Sequence, residues 1–93
     1  MNNEHNDATV TSVASSAASV QLLAIRRDRL GAVIFNDSTQ TLYVRFGADD
    51  AATNDYTYEV LTRGTLEVPY QYNGRIAGIW AAANGQARIT EVF

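Results

Sequence analysis

The sequence predicts an all-β domain, a single small antiparallel β-sandwich or barrel of about eight short strands. Three observations predict it. Short β-branched or alternating runs recur from about Thr9 to the last residue. Clusters of Asn, Asp, Gly and Ser separate them at intervals of about ten residues, the spacing of sandwiches and barrels. The one stretch with helical propensity, 14–24, has no caps and contains Val20 and several serines, so a turn and a strand suit it better.

The elements follow in order. Residues 1–8 read as a polar, flexible arm, either disordered or ordering on a partner, and residues 9–93 as the sandwich. Residues 9–13 hold Thr9, Val10, Thr11 and Val13, a first β-branched strand. A strand is expected over 19–24, then a charged connector over 26–30. Residues 32–35 and 41–46 form the clearest pair. Between them Asn36-Asp37-Ser38 can bond its own backbone and tolerates positive φ, so the two strands are expected to form a hairpin. Leu42, Val44 and Phe46 share one face of the second strand. Residues 47–54 are a polar loop. Strands are expected over 55–61 and 65–68, the latter ended by Pro69, which lacks a ladder donor. Asn73-Gly74 and Asn84-Gly85 are tight-turn signals. They flank a strand over 75–80, with Ile76, Gly78 and Trp80 on one face, and lead into a closing strand over 87–93.

A chain of 93 residues supports one domain. At this size only about 60% of the unfolded chain's surface is buried, so the domain is marginal alone. No cysteine is present, which excludes disulfides. No His/Cys cluster offers a structural metal. Self-association or docking on a larger body is the remaining source of stability. The net charge of −3 argues against nucleic-acid binding. All seven cations are Arg, which suits desolvated, bidentate pairing. No run is long enough to span a membrane, and the polar start has no signal pattern, so a reducing cytosol is the expected site of synthesis.

Reaction chemistry finds few candidates. The single histidine, His5, lies in the polar arm, which leaves no nucleophile triad. Glu59 and Glu67 could be proposed as a carboxylate pair on neighbouring strands, but both occupy the solvent phase of their strands. Asp49, Asp50, Asn54 and Asp55 cluster oxygens without the spacing of a calcium loop. Asn36-Asp37-Ser38 matches a glycosylation pattern, for which turn chemistry is sufficient explanation. The reading is therefore a non-enzyme with no catalytic, metal or cofactor site. The contact candidates are Arg26, Arg27 and Arg29 in the connector, suited to an acidic partner surface. With them stand Tyr56, Tyr58, Tyr70 and Tyr72, a residue type enriched at interfaces. Tyr43 joins the tyrosine set as a strand residue, and Trp80 reads as core.

The segments 29–38 (Arg-Leu-Gly-Ala-Val-Ile-Phe-Asn-Asp-Ser), Leu42-Tyr43-Val44, Val68-Pro69, 74–80 and 83–91 carry a resemblance. Together they resemble a small β-sandwich domain of tailed-bacteriophage virion proteins, of the capsid decoration (cement) or head-fibre type. The likeness runs from about Val10 to Phe93. The acidic Asp49-Asp50 loop and the Arg26-Arg27 pair depart from its pattern. The resemblance implies a structural protein on the capsid surface, assembled in the host cytoplasm. It would bind the major capsid protein and itself, as a homotrimer, with no nucleic acid or membrane partner. The alternative it implies is a head-fibre or tail-associated module that binds host glycans.

Overall fold

The computed structural model describes residues 7–93. All eight expected strands form: β1 (Ala8–Ala14), β2 (Val20–Leu23), β3 (Gly31–Asp37), β4 (Leu42–Phe46), β5 (Tyr58–Val60), β6 (Thr65–Val68), β7 (Ile76–Trp80) and β8 (Gln86–Val92). The expected arm lies outside the described residues except for its last two. Asp7 exchanges backbone hydrogen bonds with Phe93, and Ala8 opens β1 opposite Val92. The sandwich therefore takes in residues that were expected to belong to the arm.

The strands make two four-stranded antiparallel sheets, ordered β1-β8-β3-β6 and β2-β7-β4-β5. The pairs β1·β8, β2·β7, β3·β6 and β4·β5 describe one long hairpin, folded in half at the 47–57 loop. Rolling it up adds β3·β8 and β4·β7. This is the strand order of a jelly roll, the double-sheet answer to the problem of exposed edges.

The expected β3–β4 hairpin does not form, because β3 and β4 belong to different sheets. The turn signal at Asn36-Asp37-Ser38 is real, but it is a corner between sheets. Both strands alternate, and the apolar face of each needs cover. Ala32 and Ile34 from one sheet and Leu42 and Val44 from the other are all buried, which a face-to-face arrangement achieves. The two Asn-Gly turns also join strands of different sheets. Among the described residues, the only consecutive strands that pair are β4 and β5.

Ile34, Leu42, Val44, Ile76, Ile89 and Trp80 form the centre of the core, each at most 1% exposed. Ile76, Gly78 and Trp80 share the inner face of β7, as expected. Asn36 is buried among them as the polar node. Its Nδ2 donates to the carbonyls of Gln40 (2.8 Å), Val60 (2.9 Å) and Leu61 (3.2 Å). Its Oδ1 accepts from Ser38 Oγ (2.8 Å) and Trp80 Nε1 (3.1 Å). One amide thus ties β3, β5 and β7 together. Its nitrogen is inaccessible to a glycosyl donor in the folded chain.

Gly85 has φ +74°, and a Cβ there would lie 2.3 Å from the Asp37 carbonyl oxygen. Gly85→Ala is therefore expected to lower stability by roughly 2 kcal/mol or more, through the left-handed backbone and the clash. Urea denaturation measures it; a loss within about 0.5 kcal/mol of zero would refute the backbone constraint.

Candidate contact surface

The odd-numbered strands start, and the even-numbered strands finish, at one end of the sandwich. Three connecting segments meet there: 24–30, 47–57 and 69–75. Backbone bonds lace them to one another and to the strand ends, including Arg26 N–H to Asn73 O (2.9 Å), Gln71 N–H to Leu30 O (2.8 Å) and Gly47 N–H to Arg75 O (2.9 Å). All seven contact residues expected from sequence lie at this end. Residues from three separate stretches of chain are brought together by the roll.

They do not all face solvent. Arg29 is 1% exposed, so it is not the surface contact the connector suggested. Its Nε donates to Glu91 Oε2 (2.8 Å), its Nη1 to the carbonyls of Tyr72 (3.2 Å) and Gly74 (2.9 Å), and its Nη2 to the carbonyl of Ala24. Connectors that pass between sheets leave carbonyls without ladder partners. A rigid fork of five donors satisfies several at once. Arg29 is thus a staple between two connectors and β8.

Arg26 is half-buried. It donates to Asp28 Oδ1 (2.9 Å) and Glu91 Oε1 (3.2 Å), and its guanidinium lies 3.4 Å from the Phe93 ring centre. The hydrogen bond to Asp28, and behind it that to Glu91, raises its pKa above the ordinary arginine value. Arg27 remains exposed. The cation cluster therefore divides into a buried staple, a half-buried bridge and one outward charge.

The tyrosines divide in the same way. Tyr72 stacks on Phe46 at 4.9 Å and 19°, and its hydroxyl donates to Arg75 O (2.9 Å), so its ring belongs to the fold. Tyr58 tilts against the same Phe46 at 5.9 Å but stays exposed. Tyr56 lies 4.9 Å from Tyr43, and its hydroxyl donates to Glu59 Oε2 (2.7 Å). That bond, with some desolvation, raises the Tyr56 pKa above the usual phenol value. Tyr70 is 73% exposed.

Sequence reading missed two parts of this surface. Ile25 is 71% exposed beside the arginines. A large apolar residue directly before the arginine run was the available signal. The second part is a shallow depression of about 420 Å³ lined by Leu30, Val33, Glu67, Val68, Tyr70 and Val92. It draws on three separate stretches of chain, so no local pattern reveals it. Ile25, Tyr56, Tyr58, Tyr70 and Val92 are all exposed at this end, whereas Leu61 is exposed at the other and Val10 on β1. Gathered apolar exposure is a common feature of contact surfaces.

The acidic loop is folded down rather than held open. Arg45 meets Asp55 (3.2 Å) and Asp49 (3.5 Å), and Arg75 meets Asp50 (3.4 Å) and the carbonyls of Ala48 and Asp49 (both 3.1 Å). Ala51 is buried and donates its N–H to Ser19 Oγ (3.0 Å). The carboxylates answer arginines instead of converging on one point. Glu59 and Glu67 are not on neighbouring strands of one sheet. They face outward from opposite sheets, which removes the carboxylate pair.

At the opposite end, Asp37 accepts from Arg88 Nε (2.8 Å) and Arg63 Nη1 (2.6 Å). The Arg88 hydrogen bond is the main cause of an Asp37 pKa below the ordinary carboxylate value. A depressed folded-state pKa stabilises the fold above the unfolded-state value, and that stability is lost as pH falls through the folded-state value. Asp37→Asn is expected to flatten the acid limb of a Tm-against-pH curve. An unchanged acid limb would show that Asp37 contributes nothing there.

Comparison with protein-family models, with curated proteins and with solved structures finds no match to this chain.

Proposed function

We propose that this chain is a virion structural protein, a decoration module that binds the major capsid shell of a tailed phage and stabilises it. The observation that carries the proposal is the one-ended surface. Exposed Ile25, Tyr56, Tyr58 and Tyr70 and the outward Arg27 sit on a braced end of a rigid roll. The resemblance supplies the kind of partner. The mechanism is energetic: each copy buries apolar and aromatic surface across a joint between shell subunits, and many copies raise the barrier to rupture. An interface of standard size is about 1,600 Å² in total.

The test is co-sedimentation of the purified chain with empty shells of the phage that encodes it. Ile25→Asp with Tyr70→Ala is expected to weaken shell binding at least roughly tenfold, as for central apolar anchors. Binding unaffected by the pair would reject this end as the contact surface. Hundreds of copies per particle accord with decoration.

The exposed rings of Tyr56 and Tyr58 favour a second reading, a head-fibre or tail module that stacks host sugars on aromatic faces. Selective binding on a glycan array, together with a handful of copies per particle, would replace the first reading with this one.

A further inference from the structure

We propose that β1 is a self-recognition edge, through which two copies of this chain pair about a two-fold axis into one continuous eight-stranded sheet. The inference does not rest on the functional proposal.

The roll leaves four edge strands, and three are blunted. β2 has four residues and a register shift between Gln21 and Leu23. β5 has three residues and carries Glu59. β6 has four, carries Glu67 and runs into Pro69. Shortness, bulges, charge and proline are the usual protections of an edge. β1 has seven residues in unbroken register with β8, from Ala8↔Val92 to Ala14↔Gln86. It contains no proline and no charged residue, and only Val13 is even partly buried.

The direction of its backbone groups follows from the ladder. Asp7 and Phe93 exchange hydrogen bonds of 2.8 and 2.9 Å, and Ser15 N–H donates to Gly85 O at 3.1 Å. Bonded pairs alternate in an antiparallel ladder, so Thr9, Thr11 and Val13 turn their N–H and C=O toward β8. Ala8, Val10, Ser12 and Ala14 turn theirs away. Among the described residues no strand meets that side, and only the Ala8 N–H is occupied, by Asp7 Oδ1 at 2.8 Å.

A second β1 fits this edge in one full register. Val10 opposes Ser12 of the second copy, and Ala8 opposes Ala14. All four outward residues then lie at bonded positions on both copies, with the Ala8 N–H exchanging Asp7 Oδ1 for the Ala14 carbonyl of the second copy. On the other face Thr11 meets its own symmetry mate in a non-bonded pair, a favourable cross-strand combination, and Thr9 meets Val13. A two-fold contact makes each pairing twice, so the Ala8–Ala14 and Val10–Ser12 contacts both recur across the axis. Each copy carries net −3, yet the strands meet where neither is charged.

The experiment is sedimentation velocity and native mass spectrometry of the full chain between about 1 and 100 µM, a range that detects micromolar pairing. The expected result is a monomer–dimer equilibrium. Ser12→Pro removes an outward N–H that β8 does not use, so it is expected to abolish the dimer while circular dichroism and the urea midpoint stay unchanged. Val10→Lys, a substitution that natural edges use, is expected to do the same. Thr11→Pro, which removes a donor to β8, is expected to destabilise the monomer itself. A wild type that stays monomeric throughout, or forms the trimer that the resemblance implies, overturns the proposal. So does a dimer that survives both Ser12→Pro and Val10→Lys.

Discussion

Asn36→Ala is expected to lower the stability of this domain by about 4 kcal/mol or more. The total for a chain of this length is about 5–14 kcal/mol, so the variant loses a large share of it. The Asn36 side chain is fully buried, and it serves two donors and three carbonyl acceptors. Its loss leaves Trp80 Nε1 without an acceptor in a buried site, takes a second donor from the Gln40, Val60 and Leu61 carbonyls, and removes five hydrogen bonds in all. Each buried polar group left unpaired costs roughly 1–3 kcal/mol. Asn36→Asp keeps the shape but points a carboxylate at three carbonyls, so above neutral pH it is expected to be at least as harmful. Trp80, the single tryptophan, reports the transition by fluorescence in urea. A loss below about 1 kcal/mol for Asn36→Ala would sink the claim that this amide holds the corner.

Arg29→Ala is expected to cost about 3–5 kcal/mol, the range for removing one partner of a buried pair. Glu91 keeps only Arg26, and the carbonyls of Ala24, Tyr72 and Gly74 lose their donor. Arg29→Lys restores the charge but not the planar fork, and is expected to recover less than half of the loss. Exposed Arg27→Ala is the control and should stay within about 0.5 kcal/mol of wild type. A double-mutant cycle of Arg29→Ala with Glu91→Gln should show coupling of about 1 kcal/mol or more. Equal, small effects of Arg27→Ala and Arg29→Ala would mean that the staple does not hold this end.

The arginines show where sequence reading stops. Arg26, Arg27 and Arg29 are near neighbours in the chain and look like one patch. Burial sorts them into three roles, because the acceptors that Arg29 meets come from residues 24, 72, 74 and 91. Tyr70 and Tyr72 teach the same lesson. They share a short turn, yet one ring is open and the other lies on Phe46. The exposed end was legible only as a list of residue types, since nothing local says which side chains the roll turns inward.

Strand positions, their inward faces and the corners between them were set by local chemistry alone. Alternation with period two and the turn preferences of Asn, Asp and Gly act over a few residues, so they are readable in one dimension. Which strands pair was decided by the tertiary structure. β3 and β4 have the pattern of a hairpin and instead face each other across the core. A reversing turn is compatible with either arrangement. Only the joint burial of both apolar faces, which depends on every other strand, selects between them.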